Sequence, residues 1–235
     1  MPASQNELPW TEIDSVLLDM DGTLLDLCYD NHIWNARLPA LYAAQQAGSN
    51  GSVSAAEIDQ ARASLHAHMR QVHGTIAYYD LQYWISYTGV DLMALHHEAR
   101  DLIRYRPGAQ AFLEWLGTQG KHRVLATNAH RDSVVIKDQH SALCSALDAD
   151  FSAHDCGHAK EQPGFWEALQ RAFPFDPQRT LFIDDNEAVL DSAQRYGVAH
   201  LRMVSQPDST AANREHLAYP AFNDFRELMP AREAL

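Results

Sequence analysis

Cysteine is scarce. The chain holds three, Cys28, Cys144 and Cys156. An odd number at scattered spacing excludes a disulfide framework and fits reduced thiols. Long apolar runs are missing too. None approaches the ~20 residues that span a bilayer. Met1 to Trp10 has neither the basic start nor the apolar stretch of a secretory leader, so the cytoplasm is the expected compartment. Positive charge is in short supply, 18 Lys and Arg against 31 Asp and Glu, for a formal charge of −13. Such a surface repels nucleic acid and anionic membranes, so neither is an expected partner. An anionic small molecule would need a local lysine or a metal ion. No internal repeat or low-complexity tract is present. Apolar residues, by contrast, make up 46% of the 235 positions, enough to bury a core domain with a smaller companion.

The patterning divides the chain. Ser15-Val16-Leu17-Leu18 is an apolar run closed by acid and then Gly22, as expected of a strand buried on both faces. Leu27 to Tyr105 reads as helical throughout. Ile33, Trp34, Leu38, Leu41 and Tyr42 predict one helix, with Pro39 kinking or starting a segment. Gly48 to Ser54 reads as a polar turn. Ser54 and Glu57 have capping-box spacing before Ile58, Ala61, Leu65, Met69 and Val72. Two further helices follow, one ending at Gly89 and one starting at Asp91. From Arg106 onward strands alternate with helices: strands at 123–127, 149–152, 180–184 and 199–204, helices from Pro107, at 131–147, 163–173, 187–196 and near 222–228. The prediction is an α/β fold, a doubly wound parallel sheet (Rossmann-like) over 1–26 and 106–235, carrying a helical cap over 27–105.

Three predicted strands end in polar clusters: Asp19-Met20-Asp21-Gly22-Thr23, Thr127-Asn128 and Asp184-Asp185-Asn186. Ligands of open parallel sheets bind beyond the carboxyl ends of the strands, so all three clusters are expected on one edge. Two like charges ~4 Å apart repel by ~4 kcal/mol at an effective dielectric of ~20. Four carboxylates therefore call for protonation or a cation. Hard oxygen donors with no histidine or thiolate among them point to Mg²⁺, and Mg²⁺ held by few carboxylates commonly serves a phosphate.

Asp19-Met20-Asp21-Gly22-Thr23-Leu24 resembles the first motif of the haloacid-dehalogenase (HAD) superfamily of phosphohydrolases. Thr127 resembles its second motif, Lys160 its third, and Asp184-Asp185 its fourth. The resemblance covers nearly all of the core, and the insert resembles that superfamily's helical cap. It implies a HAD-like core and a Mg²⁺-dependent phosphomonoester hydrolase. Asp19 would be the nucleophile forming an aspartyl-phosphate. Asp21 would be the general acid and later the general base. Thr127, Asn128 and Lys160 would bind the phosphoryl oxygens, and Lys160 would also neutralise the nucleophile. Asp19, the Asp21 carbonyl, Asp184 and Asp185 would hold the ion. An acid at position 21 argues against halide chemistry.

Leu17 to Leu27, Asp30 to Trp34, Asp80 to Trp84, Thr127 to His130 and Thr180 to Asp185 further resemble bacterial members of the superfamily that are GMP/IMP nucleotidases. The implied partner is a purine 5′-monophosphate. A phosphatase or phosphomutase acting on a sugar or organic phosphate is the alternative enzyme, and a non-catalytic metabolite-binding domain the alternative class. Oligomeric state stays open. The cap aromatics Trp34, Tyr42, Tyr78, Tyr79, Tyr83 and Trp84 are each expected in the core rather than at the substrate. His154, Cys156 and His158 read as loop residues rather than a transition-metal site. His96-His97 reads as no site at all; His130 follows the second motif, from where it could approach the phosphate or leaving group, but it is not counted among the site residues.

Overall fold

The structure, a computed structural model, describes residues 7–48 and 53–230. Six strands form one parallel sheet: β1 (Ser15–Leu18), β2 (His122–Thr127), β3 (Ala149–Ser152), β4 (Thr180–Asp184), β5 (His200–Val204) and β6 (Ala221–Phe222), in the spatial order β3-β2-β1-β4-β5-β6. Alternate residues of the buried strands feed opposite faces. Val16 and Leu18 of β1 pack with Leu125 and Ile183 against α7 (Ala109–Thr118) and its Phe112. Leu17 packs on the other face with Phe182, against Trp166 of α9 (Pro163–Ala172) and Val189 of α10 (Glu187–Tyr196). β6 is a strand that the sequence pattern does not predict; its two residues are too short to show a period. The tail helix is only a 3₁₀ turn at Phe225–Leu228.

Between β1 and α7 the described residues hold helices and no strand: α1 (Cys28–Asn31), α2 (Leu38–Ala47), α3 (Ala55–Val72), α4 (Ile76–Tyr79), α5 (Leu81–Thr88) and α6 (Leu92–Glu98). They share a hydrophobic cluster of their own around Leu38, Leu65, Trp84, Leu92 and Leu95. The chain enters and leaves this segment side by side: Asp26 N–H donates to the Arg104 carbonyl, and Arg106 N–H to that of Leu24, both at 2.9 Å. Capping explains the boundaries. Ser54 and Glu57 form the expected reciprocal box, Asp91 accepts from Ala94 N–H at 2.9 Å, and Gly89 ends α5 in the left-handed region. Pro39 does not kink a helix: a π-helical stretch, His32–Arg37, runs into α2 with the proline in its first turn. The turn at Gly48 to Ser54 falls largely outside the described residues.

Two boundaries differ further downstream. α7 starts at Ala109 rather than Pro107, because Gly108 adopts a left-handed conformation (φ +74°). The helix read across 131–147 ends at Ser141 as α8 (Arg131–Ser141), where Ala142 turns left-handed ahead of a 3₁₀ turn. Among the described residues no helix is long and apolar enough to cross a membrane.

Candidate active site

The order of the strands reverses around β1: β2 and β3 lie on one side, β4 to β6 on the other. Asp19 directly follows β1, and its N–H donates to the Ile183 carbonyl of β4 at 3.0 Å. Asp184 ends β4. These two carboxylates thus meet at the switch point, where open sheets form their ligand crevice. Lys160, in the loop before α9, sits between them. Its Nζ donates to Asp19 Oδ1 at 2.5 Å and to Asp184 Oδ2 at 2.7 Å, and the residue is 1% exposed. Asp184 Oδ1 accepts from Asn186 N–H at 2.8 Å, which fixes the carboxylate plane.

Asp185 completes the cluster. Carboxylate oxygens of Asp19, Asp184 and Asp185 lie within 4.8 Å of one another. The turn after β1 is pressed against it. Gly22 has φ +84°, and a Cβ there would lie 2.9 Å from both Asp185 Cγ and Pro207 Cβ, so only glycine fits. The Asp21 carboxylate lies outside the three-carboxylate group, so any part it has in holding an ion rests on its backbone carbonyl.

Electrostatics separates these acids. Burial pushes Asp19 well above the usual carboxylate range; Lys160 pulls it back, but Asp184, Asp185 and Asp21 crowd it. Burial and then Asp184 raise Asp185 to about 7. Burial and then Asp30 raise Asp21 to about 6, against the pull of Lys137. Burial alone would lower Lys160, yet Asp184 and Asp19 hold it above the ordinary lysine range, so it is charged. One ammonium among three such carboxylates leaves excess negative charge and hard oxygen donors, a set that fits a divalent hard cation.

The second-strand cluster is also here. Thr127 is buried, and its Oγ1 accepts from Ala129 N–H at 3.0 Å. Asn128 reaches the cluster, but its side chain bonds to protein: Oδ1 accepts from Lys160 N–H at 2.8 Å, and Nδ2 donates to Glu161 Oε2 at 3.1 Å. Glu161 in turn accepts from the Tyr79 hydroxyl of α4 at 2.6 Å, joining the helical segment to the sheet edge.

Sequence reasoning missed a second buried lysine. Lys137 of α8 is 1% exposed; its Nζ donates to Asp21 Oδ1 at 2.5 Å and to Asp30 Oδ1 and Oδ2 at 2.8 and 2.9 Å. The Tyr29 ring lies under it, 5.1 Å away. The available signal was its place three residues after Val134, on the inward face of α8.

A cavity of about 330 Å³ opens over Asp19, roofed from the helical segment by Trp34, Met69, Tyr78, Tyr79 and His96. The aromatics split. Trp84 is fully buried in the helical cluster, Tyr83 stacks on His68 and Tyr42 lies against Tyr87, as expected of core residues. Trp34, Tyr78 and Tyr79 face the cavity instead. His96 is a correction to the reading of His96-His97 as no site: it lines the cavity, because the inward face of α6 presents it with Leu92 and Leu95. His130 also lines the cavity, and its Nδ1 caps α8 by accepting from Asp132 N–H at 3.2 Å. His154 packs edge-on against His130, Cys156 bonds to backbone carbonyls and His158 pairs with Gln162, so they gather no metal site.

A parallel sheet with a buried lysine among three carboxylates at its switch point is the arrangement of a hydrolase class, and the chain belongs to the haloacid dehalogenase-like hydrolase family, whose pattern residues 13–197 match. More particularly, it is 37% identical over 224 residues to the GMP/IMP nucleotidase YrfG of Escherichia coli K12, covering 95% of this chain and 97% of that one; the Shigella flexneri protein of the same name matches equally. Among solved structures, a HAD phosphatase from Thermococcus onnurineus aligns with a TM-score of 0.74 at 17% identity, over 92% of this chain and 96% of that one. A HAD-superfamily hydrolase from Geobacter sulfurreducens aligns at 0.59 and 17% identity, over 92% and 95%. These two likenesses concern the fold. Members of the family generally use Mg²⁺, and the acidic triplet is a group of the required kind.

Proposed function

We propose that the chain is a Mg²⁺-dependent phosphomonoesterase acting through an aspartyl-phosphate on Asp19, with purine 5′-monophosphates, GMP and IMP, as substrates. The observation that carries this reading is the placement of Asp19, held 2.5 Å from Lys160 at the floor of a cavity roofed by the helical segment. The name of the 37%-identical relative, covered almost end to end, supports the nucleotide.

Each residue then has a task. Asp19 attacks phosphorus as a carboxylate, the form that the Lys160 ammonium and a bound cation would favour over the protonation its burial promotes, and a carboxylate needs no base to activate it. Lys160 steadies the nucleophile and the phosphoryl charge. The Thr127 hydroxyl accepts from backbone, which leaves its own proton for a phosphoryl oxygen. Asp21 protonates the departing ester oxygen, a task that its elevation to about 6 suits, and then takes a proton from the water that cleaves the acyl phosphate. Asp19, Asp184, Asp185 and the Asp21 carbonyl would hold the ion. When bound it would neutralise the equatorial oxygens of the transferred group. Asn128 acts at one remove, fixing the Lys160 backbone. Residues 27–105 serve as a cap whose Trp34, Tyr78 and Tyr79 offer aromatic surface to a base. No anchor or membrane partner is part of this reading, and the cytoplasm is the compartment where such nucleotides occur.

The test is a panel of GMP, IMP, AMP, CMP and sugar phosphates, with Mg²⁺ and with chelator. Chelator-sensitive turnover, fastest on GMP and IMP, is expected. Absence of Mg²⁺-dependent turnover on every phosphomonoester would overturn the phosphatase; preference for a sugar phosphate would overturn the nucleotide. Phosphate trapped on Asp19, read by mass spectrometry and absent in Asp19→Asn, tests the intermediate.

A further inference from the structure

Among the described residues, few side-chain polar atoms are buried without a hydrogen-bond partner, and His96 Nε2 is the one whose residue lines the cavity. Such an atom calls for an explanation, because a buried polar group without a partner is destabilising. The residue is 1% exposed. Its other ring nitrogen is engaged: Nδ1 lies 2.8 Å from the Tyr29 hydroxyl. That hydroxyl also lies 3.0 Å from the carbonyl oxygen of His96 itself.

Only one tautomer of the ring makes both of these contacts hydrogen bonds. A phenol carries one proton, and a carbonyl oxygen can only accept, so the Tyr29 proton goes to the carbonyl. The remaining contact is a hydrogen bond only if Nδ1 carries a hydrogen and donates it to the phenol oxygen. Burial, followed by the nearby charge of Lys137, lowers the imidazole to about 3, so the ring is neutral and has one N–H. Nε2 therefore keeps a bare lone pair. Tyr29 in turn is held in place by its contact with Lys137, the lysine that engages Asp21. The acceptor thus belongs to the same packed unit as the residue assigned to the leaving group.

We propose that His96 Nε2 determines specificity by accepting a hydrogen bond from an O–H or N–H donor on the leaving group of the substrate. The proposal rests on the nucleotidase reading. Two kinds of donor are common to GMP and IMP: the ribose hydroxyls, and the ring N1–H that guanine and hypoxanthine both carry. Adenine has a lone pair at ring N1 and would set acceptor against acceptor. A site built around a buried acceptor rejects analogues that lack the donor far more strongly than lost contact area would.

Two measurements test it. In the full chain labelled with ¹⁵N-histidine, long-range ¹H–¹⁵N spectra report which ring nitrogens of His96 carry a proton. With Asp19→Asn and Mg²⁺, so that ligand is not consumed, Nε2 is expected bare in the free protein and shifted towards a hydrogen-bonded acceptor when GMP is added. A protonated Nε2, or one that GMP leaves unmoved, would overturn the proposal. The second measurement compares kcat/KM for GMP, its 2′-deoxy analogue and its N1-methyl analogue in wild type and His96→Phe. The analogue lacking the contacted donor should fall by about tenfold or more in wild type. In His96→Phe the ratio between GMP and that analogue should collapse towards one. Loss with the deoxy compound assigns the hydroxyl, and loss with the methyl compound the ring N–H. Equal ratios in both proteins would overturn the proposal. If His96→Phe does not fold, the spectra decide. If wild type hydrolyses p-nitrophenyl phosphate but not GMP, the nucleotidase reading fails by itself; a bare Nε2 in the free protein then keeps the acceptor, and a protonated one removes it.

Discussion

Two buried lysines divide the cavity floor. Lys160 joins Asp19 to Asp184, two carboxylates from adjacent strand ends in the sheet. Lys137 joins Asp21, from the same turn as Asp19, to Asp30 of the helical segment. Each ammonium has two acids, yet the acids differ in kind. Those around Lys160 are almost sealed off, with side chains 8% and 2% exposed, whereas Asp21 and Asp30 are 22% and 16% exposed. Lys160 works inside the sheet. Lys137 fastens the sheet edge to the roof above it. Asp19, the proposed nucleophile, is therefore gripped by the scaffold, while Asp21, the proposed acid–base residue, feels the position of the helical segment.

The comparison is sharpest in what removal of each lysine should do. Lys160→Met strands two buried carboxylates without a counter-charge. Breaking a buried pair in this way costs about 3–5 kcal/mol, and loss of the phosphoryl-stabilising charge should lower kcat by on the order of 10²–10³. Chemical denaturation and steady-state kinetics read the two effects. A variant as stable and active as wild type would show that the lysine is dispensable.

Asp185 has neither lysine; the guanidinium nearest it, that of Arg214, is 4.0 Å away. Asp185, raised to about 7, and Asp21, raised to about 6, bind more protons in the folded metal-free chain than in the unfolded chain between about pH 4 and pH 7, whereas His96, lowered to about 3, binds fewer between about pH 3 and pH 6.5. The stability that the two acids contribute falls as pH rises through that window, and the histidine offsets part of the fall. With chelator, the melting temperature is expected to be several degrees higher at pH 5 than at pH 7. Added Mg²⁺ should narrow the gap by favouring the ionised acids. A metal-free melting temperature that rises over the same interval would contradict the assignment.

Lys137→Met should do less, because water reaches its partners. A loss of about 1–3 kcal/mol is expected, with kcat down by about ten- to a hundredfold from misplacement of Asp21. Trapping should then distinguish the lysines: Lys137→Met still forms phosphoenzyme, and Lys160→Met does not. The smallest effect concerns the other tie between roof and floor. Tyr79→Phe removes the donor to Glu161, and a change of about 1 kcal/mol or less should appear as a rise in KM of no more than about fivefold. A larger fall in kcat would mean that Glu161 and its neighbour Lys160 depend on that contact.

The same contrast explains what the sequence discloses. Around Lys160, local pattern and chemistry coincide. Asp19 and Asp184 stand at the ends of uninterrupted apolar runs, and the rule that ligands gather at such ends brings them together without knowledge of any other contact. Lys137 looks like any lysine in an amphipathic helix. Its partner Asp30 is 107 positions away, in the four-residue helix α1, too short to show a period. His96 is hidden for a similar reason. Helical periodicity marks it as inward, but not what lies inside, and the tautomer is set by a tyrosine 67 positions earlier. Asn128 has contacts that its motif does not disclose: its amide bonds to Lys160 and Glu161, which leaves one Nδ2 hydrogen for the cavity that the residue lines.

Chain order adds a temporal consequence. Asp19 precedes Lys160 by 141 positions, and the strand carrying Asp184 comes later still. During synthesis the attacking carboxylate leaves the ribosome early, as an ordinary solvated aspartate. It gains its ammonium partner only after β4 has emerged and slotted in beside β1. The cluster of Asp19, Lys160 and Asp184 is thus complete only once about four-fifths of the chain is present.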